Sequence, residues 1–528
     1  MVRQLALLLV LAGAGIAPCW SQSVPVAQGP VAHSSAGDLS GIQASGVTAF
    51  LGIPYAVPPV GPDRWRAPQP VPVWHGTREA TRFAASCYQD VGPNGYGPWK
   101  HEYVVQGAVS EDCLYLNVWT PQPYTQAHLP VLVWIHGGGF AEGSGSVAVF
   151  DGAPLAADGL VVVNLNYRLS VFGFLAHSEL TREAGTVTPP GNYGLQDMIA
   201  ALKWIHANIT AFGGDPRQVT VAGESAGAKA VHYLIDSPLA AGLFARAIIE
   251  SGLPNRVPPL RLPDAERVGE HFAHARKATS LAALRAFPPE SILAGAMQPG
   301  AYFAPIVDGV LLPEAPRKLS SSGRFNDTPV LIGMVADENS AFSSHYVTTD
   351  KAAFAALVRE SYGPLAQRFE QFYPADTDAE RVRMTRRLLR DRGLAALYAW
   401  GSSRLVHSRQ PVYVYLFTHV EPGPDSARYG AFHASEIPYA FKTLDKAPER
   451  NFTAADRSVE HVVSSYWVSF IKTGDPNGPG LPQWPRLSAN DPNLMELDIE
   501  ALAQPLLPAL KLQAVRDYLA HGGELSIF

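Results

Sequence analysis

The sequence predicts an α/β protein built on a large, mostly parallel central sheet covered by helices on both faces. Three observations carry this. Near-continuous apolar runs rich in β-branched residues recur along the chain, patterns of helical spacing lie between them, and Gly- and Pro-rich turns mark the joins. Unbroken apolarity, as opposed to strict alternation, belongs to strands buried on both sides, and strands alternating with helices wind a parallel sheet twice over.

The strand candidates are residues 131–136, 160–165, 218–225, 247–250, 329–333 and 412–417. Residues 195–212 carry apolar side chains at helical spacing and are stopped by Gly213-Gly214-Asp215-Pro216; residues 456–473 and 507–519 are also helical in pattern. The long connections 173–192, 253–263 and 421–431 are Pro- and Gly-rich, and such segments in a compact domain tend to be loops over a site.

The chain has 528 residues, 47% hydrophobic and 17% charged, which gives a large core and argues against disorder. A net charge of −6 with no basic run gives no reason to expect nucleic acid as a partner. Met1-Val2-Arg3 followed by apolar and small residues to Ala17 reads as a signal peptide over residues 1–23, cut near Ser21 or Ser23. The apolar core is too short for a permanent anchor, so no stable membrane association is expected, and Pro18 makes Cys19 a poor lipid attachment site. A secreted or periplasmic location follows, with one catalytic domain over residues 24–528. In an oxidising compartment the remaining cysteines, Cys87 and Cys113, are read as a disulfide, two buried thiols being the alternative.

The most telling segment is Gly223-Glu224-Ser225-Ala226-Gly227 at the end of the run 218–222. A strand entering Gly-x-Ser-x-Gly and then a helix is a nucleophile elbow, which lifts one hydroxyl clear of its backbone. Ser225 then needs a base and an orienting acid. His433, on a loop beyond the strand ending at Thr418, is the candidate base and His419 its rival. Asp337 and Glu338 follow the strand near 330–335, and spacing does not choose between them as the acid. His136-Gly137-Gly138-Gly139-Phe140 follows a strand directly, and its backbone N–H groups with that of Ala226 form a candidate oxyanion hole. A phosphate-binding loop is the other reading of that triplet, but no Lys-Ser/Thr follows it.

On these motifs the chain resembles the type-B carboxylesterase/lipase family, which includes the cholinesterases. Residues 111–119 (Glu111-Asp112-Cys113 through Trp119) match one family signature and residues 212–227 the other; the likeness runs from Phe50 to Asn477. The resemblance implies an α/β-hydrolase fold, ester hydrolysis without metal or organic cofactor, and a small-molecule ester as substrate. It implies Ser225, Glu338 and His433 as catalytic triad, Gly138, Gly139 and Ala226 as oxyanion hole, Cys87–Cys113 as the first family disulfide, and Glu224 and Ser251 as buried supports. A carboxylate at Glu224 is also what a helix N-terminus favours.

Asn339 stands where relatives carry glycine after the acid, and Asn tolerates the positive φ such a turn uses. Lys229 replaces a small or apolar residue close behind the elbow. Residues 143–150 look similar to a bacterial subgroup that includes fumonisin esterases, so a specialised esterase for a bulky natural-product or polycarboxylate ester is an alternative; a catalytically silent cholinesterase-like binding protein is another. The substrate pockets are expected from loops within 88–105 and 254–302, with Tyr96 and Trp99 at the entrance.

Overall fold

The computed structural model describes residues 29–528 apart from 91, 93, 125–126, 186–189, 254–257 and 299–301. The expected signal peptide over 1–23, with Cys19, Ser21 and Ser23, lies outside the described residues. The principal sheet contains, in chain order, β1 (Ile42–Ala44), β2 (Val47–Pro54), β3 (Tyr115–Pro121), β4 (Leu129–Ile135), β5 (Val161–Leu165), β6 (Gly214–Glu224), β7 (Arg246–Glu250), β8 (Val330–Val335), β9 (Val412–Phe417), β10 (Asn493–Leu497) and β11 (Leu502–Pro505). Their spatial order is β1-β2-β3-β5-β4-β6-β7-β8-β9-β10-β11. Neighbours from β5 to β10 are parallel. Antiparallel strands complete both flanks. This is the α/β-hydrolase arrangement, with the C-terminal ends of β4, β6, β8 and β9 on one edge, where such sheets bind ligands.

Every residue of β5, β8 and β9 is buried, in keeping with their unbroken apolar sequence. The flanking helices include α1 (Tyr193–Asn208), α2 (Ala226–Asp236), α3 (Asp378–Leu405), α4 (Ala454–Thr473) and α5 (Ala509–Ala520). The helix expected over 195–212 is α1 extended by a 3-10 turn, Ile209–Phe212, and Gly213 ends it at φ 82°, a left-handed cap. α4 opens with a reciprocal cap, in which Thr453 and Asp456 each accept from the other's backbone N–H.

The apolar pattern alone did not single out β2 and β3, because polar residues interrupt them. In β3 they are satisfied inside the protein: Thr120 Oγ1 donates to Phe212 O at 2.8 Å, and Asn117 Oδ1 accepts from Gly52 N of β2 at 2.9 Å. The connection 173–192 is not wholly loop, since it holds the helix Ser178–Ala184. Cys87 and Cys113 are disulfide-bonded and both buried. Their link closes a loop that carries much of the site described next.

Candidate active site

Ser225 sits between β6 and α2 with φ 56° and ψ −118°, a backbone conformation that non-glycine residues rarely hold. Two glycines allow it. A Cβ on Gly227 would stand 2.0 Å from Ile135 O, and one on Gly223 2.6 Å from the carbonyl carbon of Gly227. The helix can therefore rise off the strand only if both positions lack a side chain. Ser225 N donates to Glu250 O at 2.9 Å, which ties the elbow to β7.

The acid and base converge from β8 and the segment beyond β9. His433 Nδ1 lies 2.5 Å from Glu338 Oε2, with both side chains buried. Glu338 Oε1 accepts from Val335 N at 3.1 Å, so the carboxylate is held at both oxygens. The structure thus separates the acids that spacing left open. Asp337 points away, accepting from Ala431 N at 3.1 Å and facing Arg390 at 3.7 Å. His419 is likewise occupied elsewhere, with Nε2 2.8 Å from Asp456 and Nδ1 3.1 Å from Asp498. The turn after the acid forms without a left-handed residue at Asn339, because Phe342 N and Ser343 N both close onto Asn339 O.

His433 Nε2 is 3.0 Å from Glu224 Oε1, yet that oxygen has no aligned hydrogen bond. Both groups border the same cavity. That cavity, of about 350 Å³, is lined by Ser225, His433, Glu224, Gly137, Gly138 and Gly139 together with Trp99 and Tyr103. Gly138 and Gly139 have φ of 98° and 65°, and a Cβ on Gly138 would meet Glu142 O at 2.2 Å. Among the described residues nothing accepts from the N–H of Gly138 or Gly139, and Ala226 opens α2, where N–H groups lack helical partners. The three expected donors therefore lie on segments bordering the same cavity.

Burial alone would pull the His433 pKa down, but the Glu224 and Glu338 carboxylates outweigh it and hold the imidazole well above its ordinary value. Burial raises Glu224 in turn. Ser251 Oγ, the other expected support, donates to Glu436 Oε1 at 3.2 Å. It belongs to a buried set that the sequence reading missed. Tyr415 OH donates to Glu436 Oε1 at 3.1 Å, and Trp467 Nε1 to Glu250 Oε1 at 2.7 Å. Burial pushes Glu436 up to about 8 and Glu250 well above the carboxylate range, which favours the protonated carboxyl in this buried pair. A glutamate closing the apolar run 247–250 was the one available signal.

Tyr96 and Trp99 do stand at the cavity, and so do other residues between 89 and 105. No described residue between 258 and 298 lines it. Away from the cavity, His101, Glu102 and Glu449 could together approach a metal ion, their ligand atoms lying within 4.8 Å of one another, but Glu102 is already paired with Arg450.

The match to known proteins spans nearly the whole chain. The model of the carboxylesterase family covers residues 28–513. The chain is 37% identical over 470 residues to a fumonisin B1 esterase of Sphingopyxis macrogoltabida, covering 86% of this chain and 84% of that one. It is 35% identical over 482 residues to a para-nitrobenzyl esterase of Bacillus subtilis (strain 168), covering 88% and 94%. A solved structure of a PNB esterase superposes with a TM-score of 0.77 at 34% identity, over 92% of this chain and 99% of that one. A serine elbow, an imidazole and its carboxylate on one sheet edge, and this breadth of likeness have one account: the chain belongs to the carboxylesterase family and is a carboxylic-ester hydrolase.

Proposed function

We propose that the protein cleaves carboxylic esters by two-step acyl transfer through Ser225. The observation that carries this is the convergence of Ser225 and the Glu338-paired His433 on one cavity edged by the Gly137–Gly139 backbone. Neutral His433 accepts the Ser225 proton at Nε2 while Ser225 Oγ attacks the ester carbonyl carbon. The carbonyl oxygen gains the charge and is met by the N–H groups of Gly138, Gly139 and Ala226. The tetrahedral intermediate collapses, the alcohol leaves with the proton from His433, and water attacks the acyl-enzyme by the same route. No step needs a metal or organic cofactor. The Cys87–Cys113 disulfide supports the secreted or periplasmic location expected of a leader peptide. A fluorophosphonate probe should label the protein once per chain, with the adduct on the Ser225 peptide; absence of labelling would favour the silent binding protein.

The charge on His433 sets the pH dependence. Only the neutral imidazole accepts a proton, so kcat/KM should climb as pH rises through its elevated pKa. Removing one carboxylate in Glu224→Gln should shift that ascending limb to lower pH, by about 1–3 units. Conformational stability runs the other way. The imidazolium–carboxylate contribution is complete below the ordinary value of 6.5 and is lost as pH rises through the folded value. A pH–rate profile in Glu224→Gln that overlays the wild type would remove this account.

A second reading, hydrolysis of esters whose acid carries a further carboxylate, is favoured by Lys229. It lies one turn beyond the nucleophile, its N–H donating to Ser225 O at 3.0 Å, and burial lowers the ammonium pKa. Glu224 is the carboxylate whose charge acts on it and opposes the effect of burial, and an anionic acyl group would supply a second one. Lys229→Met should then lower kcat/KM for succinate half-esters relative to butyrate esters by about tenfold or more; an unchanged ratio would dismiss this reading.

A further inference from the structure

We infer that the protein carries a second binding site, an arginine-lined cleft that takes a small ligand bearing two or three oxyanion groups along about 10 Å. The site lies outside the catalytic cavity and does not depend on the ester-hydrolase reading.

The cleft, of about 750 Å³, runs between α3 and the segment 420–430. α3 supplies Arg383, Arg386, Arg387 and Arg390 to it. Offsets of three, four and seven residues put these side chains on one helix face, spread over about 10 Å of its axis. The carboxylates that line the cleft are Asp337 and Asp391. Four guanidinium groups against two carboxylates make a positive site on a chain whose net charge is −6. Like charges at these helical spacings repel one another, and a bound anion would relieve that repulsion.

The four arginines are also loosely paired. Elsewhere in the chain arginines close directly on carboxylates: Arg64 on Glu111 at 2.5 Å, Arg168 on Asp197 at 2.6 Å, Arg285 on Glu183 at 2.7 Å. In the cleft Arg390 stands 3.7 Å from Asp337, Arg383 3.8 Å from Glu380 and Arg387 4.0 Å from Asp391, all beyond hydrogen-bond length. Each of those carboxylates has other partners. Asp337 accepts from Ala431 N at 3.1 Å, and Glu380 accepts from Thr377 N at 2.9 Å in the cap of α3. Asp391 is paired with Lys511 and accepts from Tyr373 OH at 3.2 Å.

Two of the arginines are fixed and two are free to move. Arg386 donates to Tyr346 O at 3.0 Å and Arg390 to Ala336 O at 3.1 Å, so carbonyls set the base of the cleft. The side chains of Arg383 and Arg387 are 63% and 54% exposed. A guanidinium offers a planar fork that matches phosphate and carboxylate alike, and forks already held in place reduce the ordering cost of binding. An anion with one charged centre can answer only part of this row, whereas two or three linked centres can answer its length. The cleft shares no lining residue with the catalytic cavity, so both can be filled at once.

The test is calorimetric titration of the full-length protein with inorganic tripolyphosphate, tricarballylate and orthophosphate in about 0.1 M salt, where distant charges are screened. At least one of the two extended anions should bind once per chain, about tenfold or more tighter than orthophosphate, and the tighter of the two tells whether phosphate or carboxylate groups fit. Arg383→Ser with Arg387→Ser should weaken that binding about tenfold or more while esterase activity is kept. Arg217→Ser with Arg267→Ser, exposed arginines on other elements, should leave it unchanged. Affinities for both extended anions within twofold of orthophosphate overturn the proposal, as does equal weakening in the two double variants, which would mean diffuse charge and no site. Protein first treated with a fluorophosphonate should bind the anion as before; loss of binding there would place the anion in the catalytic cavity and overturn the proposal. Protein that binds the anion but takes no fluorophosphonate overturns only the hydrolase reading.

Discussion

Replacing Ser225 by alanine is expected to lower kcat/KM by about 10⁵–10⁶-fold and to abolish fluorophosphonate labelling, with no change in fold. The elbow does not depend on the hydroxyl. It is set by the missing side chains at Gly223 and Gly227, which let α2 pack against Ile135, and by the bond from Ser225 N to Glu250 O, all of which alanine retains. A thermal midpoint within a few degrees of the wild type is therefore expected alongside the kinetic loss, and the loss then belongs to the chemical step. The activity that remains should come from the Gly138 and Gly139 amides and from binding, which still favour attack by water. If the variant kept kcat/KM within tenfold of the wild type, Ser225 would not be the nucleophile, and the second nearby hydroxyl, that of Ser251, is committed to Glu436.

Glu338→Gln should be almost as damaging, lowering kcat by about 10³–10⁴-fold with a much smaller change in KM. The reason lies in how the two oxygens are used. Oε1 accepts from the Val335 N–H, a bond that only an oxygen can keep. The amide nitrogen of the variant must then take the place of Oε2, 2.5 Å from His433 Nδ1. It can only donate there, so Nδ1 becomes the acceptor and the ring proton moves to Nε2, where the serine proton would have to go. The residue keeps its size and both contacts, so folding should be preserved. Carboxyl isosteres elsewhere give the control: burial pushes Glu436 up to about 8 and favours its neutral carboxyl, which an amide replaces without loss of charge, so Glu436→Gln should cost far less. Comparable losses in the two variants would show that carboxyl groups in this layer matter for packing and not for the tautomer.

Much of the fold was legible because burial on both faces leaves an unbroken signature. The runs at 160–165 and 412–417 are strands with every residue inside, and no helix of ordinary amphipathic pattern reads that way. β3 was hidden by Asn117 and Thr120, polar residues that find their partners only once the sheet is assembled. In the site, the serine was legible because the elbow needs its glycines within two residues on each side, a local requirement written in adjacent letters. Spacing alone narrowed the histidine and acid only to pairs, His433 against His419 and Glu338 against Asp337, since each pair has the same chemistry at nearly the same place along the chain; the family resemblance then chose His433 and Glu338. The buried partners Glu436, Tyr415 and Trp467 carried no signal at all, because a side chain 185 residues from Ser251 announces nothing of its contact.

By itself the sequence determined the doubly wound sheet, the elbow at Ser225, the amide-rich turn after β4 and membership of an esterase family, because each depends on short-range pattern: periodicity, missing side chains, or a contiguous motif. Only the tertiary structure showed that Glu224 as well as Glu338 approaches the imidazole, and that Ser251 lies against a buried Glu436, Tyr415 and Trp467 layer. Those outcomes turn on which side chains meet after loops of tens to hundreds of residues have closed, and on water being excluded where they meet.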